Sequence, residues 1–121
     1  MASSFEVSAG KAIGYVSGGA VTQLTDKTTG VTLNKPCGQI TMAAGSIAAA
    51  GEASFTVTNS EVASTDVVIV NHGSGGTAGS YLVQANTIAD GSFAITVANV
   101  SAGSLGEAIV LNYVALKGAS S

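Results

Sequence analysis

The chain has 121 residues, of which only 9% are charged, and four lysines against seven acids give a formal net charge of −3. Soluble domains usually carry about 25% charged residues. With no arginine and no basic stripe, the sequence argues against nucleic-acid binding, which depends on contacts from Lys and Arg to phosphate. Its length indicates one domain. A surface so poor in charge, with a mean hydropathy of +0.47, predicts that other subunits cover part of it.

Residues 1–11, MASSFEVSAGK, are predicted to form an N-terminal arm. They lack the basic start and apolar centre of a signal peptide. Phe5 and Val7 interrupt the small polar residues, and we expect them to contact a partner. A solvated tail is the alternative interpretation of this segment.

Alternating apolar and hydroxyl side chains predict half-buried strands at residues 54–58 and 92–98. Shorter strand candidates cover residues 21–24, 38–42 and 81–84. The nearly continuous apolar runs at 67–70 and 108–116 predict strands buried on both faces, with a neighbouring subunit covering the second face. The longest run of large apolar residues has four members, which is too short to span a membrane. Residues 43–53 are predicted to be a loop with at most one helical turn.

Turn signals rich in glycine separate these runs at short intervals, as in β-sandwiches and barrels. We therefore predict an all-β sandwich of about eight antiparallel strands over residues 12–117, with 118–121 as a C-terminal tail. The two halves of the chain also echo each other: a glycine turn, a strand that begins with phenylalanine, a loop, and a strand that ends in asparagine and an aromatic ring. The echo is consistent with two similar strand pairs stacked face to face.

The segment Gly73-Ser-Gly-Gly-Thr-Ala78 fits a dinucleotide fingerprint, but the residues after Ala78 alternate as a strand where that fingerprint needs a helix. We interpret residues 71–80 as the tip of a hairpin, where contacts to other chains are often made. His72 could act as a general base oriented by Asp66, but nothing in the spacing selects a nucleophilic serine.

The sequence predicts no enzyme, no metal site and no cofactor. Asp26, Asp66 and Asp90 all lie at predicted turns, where aspartate side chains bind the backbone. Cys37 is the single cysteine, so no intrachain disulfide can form, and we expect a small buried apolar side chain.

Several segments together resemble a group of small proteins from tailed bacteriophages and prophages. They are GVTLNKPCGQITM (30–42), FTVTNS (55–60), TDVVIVNH (65–72), GGTAGSY (75–81) and SAGS (101–104), and the resemblance runs over roughly residues 20–118. In size and composition the chain is similar to capsid decoration, or cement, proteins of phage heads.

That resemblance implies a jelly-roll-like sandwich that forms a homotrimer on the capsid exterior and bridges subunits of the major capsid protein. Such a protein is made in the host cytoplasm, becomes part of the virion, and has no catalytic residues, cofactors or membrane contacts. We expect contacts to the capsid or to another subunit from Phe5, Val7, His72, Tyr81 and Tyr113. The alternative is a head-fibre or tail-fibre domain that binds host-surface glycan, although the chain has no tryptophan to stack on sugars.

Overall fold

The structure is a computed structural model that describes residues 18–118. Within this range the chain is all-β, without a helix, and it forms eight strands. The strands are β1 (Gly19–Thr22), β2 (Val31–Thr32), β3 (Cys37–Thr41), β4 (Glu52–Thr58), β5 (Val67–Ser74), β6 (Tyr81–Ala89), β7 (Ser92–Asn99) and β8 (Val110–Leu116). The predicted arm, with Phe5 and Val7, and most of the predicted tail lie outside the described residues.

The strands form two four-stranded mixed sheets. Sheet A has the order β1-β3-β8-β5 and sheet B the order β2-β4-β7-β6. The pairs β1–β3 and β2–β4 are parallel, and the other pairs are antiparallel. The prediction that all strands are antiparallel is therefore wrong. From β1 to β4 the chain alternates between sheet A and sheet B. β1 and β3, and likewise β2 and β4, are therefore joined through a strand of the other sheet and run parallel, whereas a hairpin joins antiparallel strands.

The inner faces of both sheets contribute to one hydrophobic core. Phe93, Ile95 and Val97 of β7 are at most 1% exposed, as the alternation in the sequence predicts. The rings of Phe93 in sheet B and Tyr113 in sheet A lie 5.5 Å apart between centroids, so the two sheets meet through aromatic contact. The strands predicted at residues 54–58 and 92–98 are confirmed within β4 and β7.

Of the two predictions about burial, the one for Cys37 is wrong and the one for the continuous apolar runs stays a prediction. Within its own chain the run at 67–70 is covered on one face only, because Val67 and Ile69 of β5 are 55% and 44% exposed, and a single chain does not test whether a neighbouring subunit covers the second face. β8 likewise alternates between buried and more exposed side chains. Cys37 is only half-buried, since it belongs to the same outward-facing row of sheet A as Gln39. Within residues 18–118 no other element covers this outer face.

Residues 71–80 do not form the tip of a hairpin, which corrects our interpretation. β5 extends to Ser74 and pairs with β8 in sheet A, whereas β6 pairs with β7 in sheet B. Residues 75–80 therefore cross from one sheet to the other. Gly75, Gly76 and Gly79 in this crossing have φ angles of +73°, +68° and +80°, a region that favours glycine.

The internal echo has a structural counterpart that differs from the predicted stacking. Each half contributes one strand to each sheet, and the equivalent strands pair with each other, β4 with β7 and β5 with β8. Asn59 directly follows β4 and Asn99 is the last residue of β7, and both are fully buried. The backbone N–H of Asn59 donates to Gly91 O at 2.8 Å, and the backbone N–H of Asn99 donates to Gly51 O at 2.9 Å.

Candidate interaction surfaces

The strand directions gather four loops at one end of the molecule, which we call the glycine-rich end. It consists of residues 23–30, 42–51, 75–80 and 100–109. The register places Thr22, Thr41, Val110 and Ser74 in one row at this end of sheet A. The chain termini of the described part lie at the opposite end.

Two buried polar side chains fix the base of the loop at 23–30. The Gln23 amide donates to Lys27 O at 3.1 Å and Thr29 O at 3.0 Å, and its oxygen accepts from the Ala43 amide at 3.0 Å. Lys27 Nζ donates to Ala43 O at 2.6 Å and to the carbonyl oxygen of Glu107. Burial lowers the pKa of Lys27, and the Glu107 charge partly opposes that shift. The buried side chains of Gln23 and Lys27 thus join three of the four loops at this end, residues 23–30, 42–51 and 100–109.

Leu24 lies between these two anchors and is 90% exposed. The turn that follows is closed by Asp26, whose Oδ1 accepts from the Thr28 hydroxyl at 2.7 Å and the Thr28 amide at 2.8 Å. These hydrogen bonds hold the pKa of Asp26 below its ordinary value. A large apolar side chain on a loop that is already ordered loses little conformational freedom on binding. Leu24 therefore has the properties of an anchor for a protein partner.

The Glu107 carboxylate joins the loop at 100–109 to the fourth loop of the glycine-rich end, residues 75–80. Glu107 Oε1 accepts from the Tyr81 hydroxyl and the Thr77 amide, and Oε2 accepts from the Thr77 hydroxyl, each at 2.9 Å. The Tyr81 and Thr77 hydrogen bonds hold the pKa of Glu107 below its ordinary value. Burial, and then the Glu107 contact, raise the pKa of Tyr81 to about 12. At neutral pH the pair is a neutral donor and a charged acceptor, which is a structural clamp.

His72 is half-buried beside this clamp. Its Nε2 donates to Gly75 O at 2.6 Å, and its ring meets the Tyr81 ring edge-on at a centroid distance of 5.4 Å. The hypothesis that Asp66 orients His72 is wrong, because six residues of extended strand separate them, about 20 Å. Asp66 instead accepts from Lys117 Nζ at 2.9 Å. The hydrogen bond from His72 to Gly75 therefore joins the end of β5 to the start of the segment that crosses between the sheets.

The other predicted contact residues are placed as follows. Tyr81 and Tyr113 are 6% and 4% exposed. The Tyr113 hydroxyl donates to Lys35 O at 2.8 Å, and burial is the main cause that raises its pKa to about 12. Phe5 and Val7 lie outside the described residues. Contact of these residues with a partner stays a prediction, and both tyrosine rings are already packed within their own chain.

The predicted turn roles of the three aspartates are confirmed. Asp26 accepts from a backbone amide within its own turn, Asp66 Oδ2 accepts from the Ala63 amide at 3.0 Å, and Asp90 Oδ1 accepts from the Ser64 amide at 2.9 Å.

Among residues 18–118, no group of three or more histidine, cysteine, aspartate or glutamate side chains could hold a metal ion. The same residues include no helix that could cross a membrane.

The outer faces of the two sheets differ. On the outer face of sheet B, hydroxyl and amide side chains form hydrogen bonds with one another, such as the 2.7 Å contact between Ser54 Oγ and Thr96 Oγ1. Leu82 is a large apolar residue on this mostly polar face and is 65% exposed. On sheet A, we define the apolar face as Val67, Ile69, Val114 and Leu116, which neighbour one another across β5 and β8. The remaining outward residues of sheet A are uncharged. They are Ala20, Thr22, Cys37, Gln39, Thr41, Asn71, Ser74, Val110 and Asn112.

The sequence did not identify Leu24 as a surface residue. It fell within the strand candidate at residues 21–24, but β1 ends at Thr22. The signal that could have found it is its position two residues before the turn signal that begins at Asp26. The chain matches no protein-family model, no curated protein and no solved structure in comparisons with each.

Proposed function

We propose that the protein is a phage capsid decoration protein, a virion structural protein without enzymatic activity. It forms a homotrimer on the outer surface of the head and stabilises the shell by bridging subunits of the major capsid protein. Its frame is a jelly-roll-like β-sandwich, in which two four-stranded sheets enclose one core. The parallel pairs β1–β3 and β2–β4 are a departure from the usual jelly roll.

The observation that carries this proposal is Leu24, 90% exposed on a loop that Gln23 and Lys27 hold from inside. Val100, which is 51% exposed, lies in another loop of the same end. Isolated exposed apolar residues are common on protein surfaces, but a leucine on an ordered loop is pre-arranged for insertion into a partner. The glycine-rich end is therefore the surface that meets the capsid.

In a trimer, each contact to the capsid can be weak and the whole trimer still binds. Three linked copies of one modest contact raise the overall avidity by about 10²–10⁴ without any new interaction. Because the trimer binds the assembled lattice and not the separate subunits, its binding stabilises the assembled state by mass action. Few charges on the chain also mean that binding depends little on ionic strength.

The alternative, a fibre domain that binds host-surface glycan, depends on exposed aromatic rings for stacking on sugars. Within residues 18–118, the aromatic side chains of Phe55, Tyr81, Phe93 and Tyr113 are all buried. This observation favours the capsid over the glycan as the partner.

The test is binding to phage heads stripped of decoration protein. We expect the purified chain to scatter light as a trimer and to sediment with the heads at a fixed ratio. Leu24→Asp is expected to weaken sedimentation at least 10-fold, which corresponds to about 1.4 kcal/mol of binding free energy. The matched control is Leu82→Asp, an exposed leucine on the outer face of sheet B.

Three results would count against the proposal: a monomer in solution, no binding to heads, or equal binding by the Leu24→Asp and parent proteins. Selective binding to host cells or glycan by a protein that ignores heads would favour the fibre domain. Decorated heads should also survive heating that opens stripped heads.

A further inference from the structure

The apolar face of sheet A is continuous and exposed among the described residues. Val67, Ile69 and Leu116 are 55%, 44% and 36% exposed, and Val114 between them is half-buried. Ile69 lies opposite Val114, and Val67 lies opposite Leu116. Contiguous exposed apolar side chains on one sheet face are typical of a surface that another chain covers.

The charges of the described residues are distributed so that a copy of this chain can approach this face. Within the eight strands, Glu52 of sheet B is the single residue with a carboxylate or ammonium group, and the other charged residues lie in the loops. The charges next to the apolar face neutralise each other, since Asp66 Oδ2 accepts from Lys117 Nζ at 2.9 Å. Like charges that meet across an interface cost several kcal/mol. Two copies that meet through sheet A avoid that cost.

β5 contributes Val67 and Ile69 to the apolar face and is also the edge strand of sheet A. Natural edge strands are protected from other chains by lysine, proline or bulges. Between Val67 and His72 β5 has none of these, and its register shifts only between His72 and Ser74. Among the described residues, this side of sheet A is therefore open to another chain.

The outer face of sheet B is less suited to such a contact. Its hydroxyl and amide groups already bind one another, because Thr96 Oγ1 lies 2.7 Å from Ser54 Oγ and also accepts from Asn86 Nδ2 at 3.0 Å. Glu52 adds a charge to this sheet, and Leu82 is its one large exposed apolar side chain among the described residues. Sheet A is therefore the better candidate for contact between copies.

The direction of the strands determines how the copies would meet. A trimer with three-fold symmetry that binds a shell presents the same end of every subunit to it, so its axis lies along the line from the glycine-rich end to the described chain termini. The strands run along this line. Rotation about such an axis keeps equal residues at equal height, so the apolar faces of the copies meet one another.

We propose that the apolar face of sheet A is the surface through which copies of this chain pack in the homotrimer, with the three-fold axis along the strands. The sequence alone predicts a neighbouring subunit beside β5 and β8, and the fold adds which side of the molecule meets it and how the axis is directed. The inference rests on the trimer of the proposed function. It gives the two surfaces separate partners: sheet A binds copies of the chain, and the glycine-rich end, with Leu24, binds the capsid.

The first test is the mass of the full chain with Ile69→Lys, measured by light scattering. We expect a threefold lower mass than that of the parent trimer, with an unchanged circular dichroism spectrum, because a lysine on every subunit brings like charges together at an apolar contact. The matched control is Leu82→Lys, on the outer face of sheet B, which should remain a trimer. The Ile69→Lys monomer should bind stripped heads with an avidity lower by about 10²–10⁴.

A labelling experiment identifies what covers the face. In a Cys37→Ser background, we expect Ile69→Cys in the trimer to react with a maleimide about 10-fold more slowly than Leu82→Cys, because its thiol is covered. Adding Leu116→Lys should separate the subunits and restore fast labelling at position 69. Slow labelling in the separated monomer would overturn the proposal, because another part of the same chain would then cover the face.

The outcomes keep this inference apart from the proposed function. A trimer that persists with Ile69→Lys overturns the inference and leaves the capsid function standing. A parent protein that is a monomer overturns both. A parent trimer that Ile69→Lys dissociates, but that ignores phage heads, supports this inference and counts against the capsid function.

Discussion

Replacing Asn99 with alanine should remove one of the buried polar links that hold the loop at 100–109 to the rest of the glycine-rich end. Asn99 is fully buried and uses its whole hydrogen-bonding capacity. Its Nδ2 donates to Ile47 O and Gly103 O, each at 2.8 Å. Its Oδ1 accepts from the Ser101 amide at 2.9 Å and from the Ser101 hydroxyl at 2.7 Å.

The magnitude follows from these four bonds. Each is worth about 0.5–1.5 kcal/mol net, and a buried group left without a partner costs about 1–3 kcal/mol. Two of the groups that lose Asn99 have another partner, since Ile47 O also accepts from the Leu105 amide, and the Ser101 hydroxyl, once released from Asn99, can donate to Gly103 O at 2.9 Å. We therefore expect Asn99→Ala to lower the free energy of unfolding by about 3 kcal/mol, below the sum of the upper limits.

The assay is urea unfolding at one protein concentration, so that any self-association affects all variants alike. With a slope of about 1.5 kcal/mol per M, a loss of 3 kcal/mol lowers the midpoint by about 2 M at unchanged slope. Asn112→Ala is the matched control, because Asn112 lies on the exposed outer face of sheet A. We expect it to change stability by less than about 0.5 kcal/mol. A midpoint for Asn99→Ala equal to that of Asn112→Ala would refute the reasoning.

Two further predictions concern the crossing between the sheets. Gly75→Ala should destabilise the fold by ~1–3 kcal/mol, because φ is +73° and the new Cβ would lie 2.8 Å from a backbone oxygen. Gly103→Ala, with nothing within 4 Å, should not, and equal thermal midpoints for the two variants would contradict this. Tyr81→Phe removes a hydrogen-bond donor to Glu107. Because folding lowers the pKa of Glu107, its ionised form stabilises the fold above pH 4.5, and this contribution is lost as the pH falls through the pKa of the folded state. The deficit of Tyr81→Phe in urea midpoints should be largest at pH 7 and should shrink as the pH is lowered below 4.5, and a deficit that does not change with pH would speak against the clamp.

Local patterns predicted the strands well where one face is buried. Alternation around Phe55 and Phe93 identified β4 and β7, because a period of two is the direct signature of a sheet with one covered face. β2 was missed, because its two residues are too few to show any period. The parallel pairs and the crossing at 75–80 were also missed. A turn signal shows that the chain changes direction, but not whether the next strand joins the same sheet.

The interaction surfaces were less predictable than the strands. Gln23 and Lys27 are buried, although their residue types usually lie at the surface, because distant backbone groups bind them: Lys27 Nζ donates to Ala43 O and Glu107 O, and Gln23 Oε1 accepts from the Ala43 amide. No local pattern contains those partners. Leu24 lies between these two buried neighbours, so its exposure did not follow from the strand pattern predicted at residues 21–24.

The order of strands within the sheets has a consequence for how the chain folds during synthesis. β8 lies between β3 and β5, so the two halves of sheet A have no contact with each other until the last described strand is present. β7 occupies the same position between β4 and β6 in sheet B. On a ribosome, residues 18–91 therefore emerge as strands that lack their central partners, and neither sheet can be completed early. Such a chain folds late and all at once, since its stabilising contacts join distant parts of the sequence.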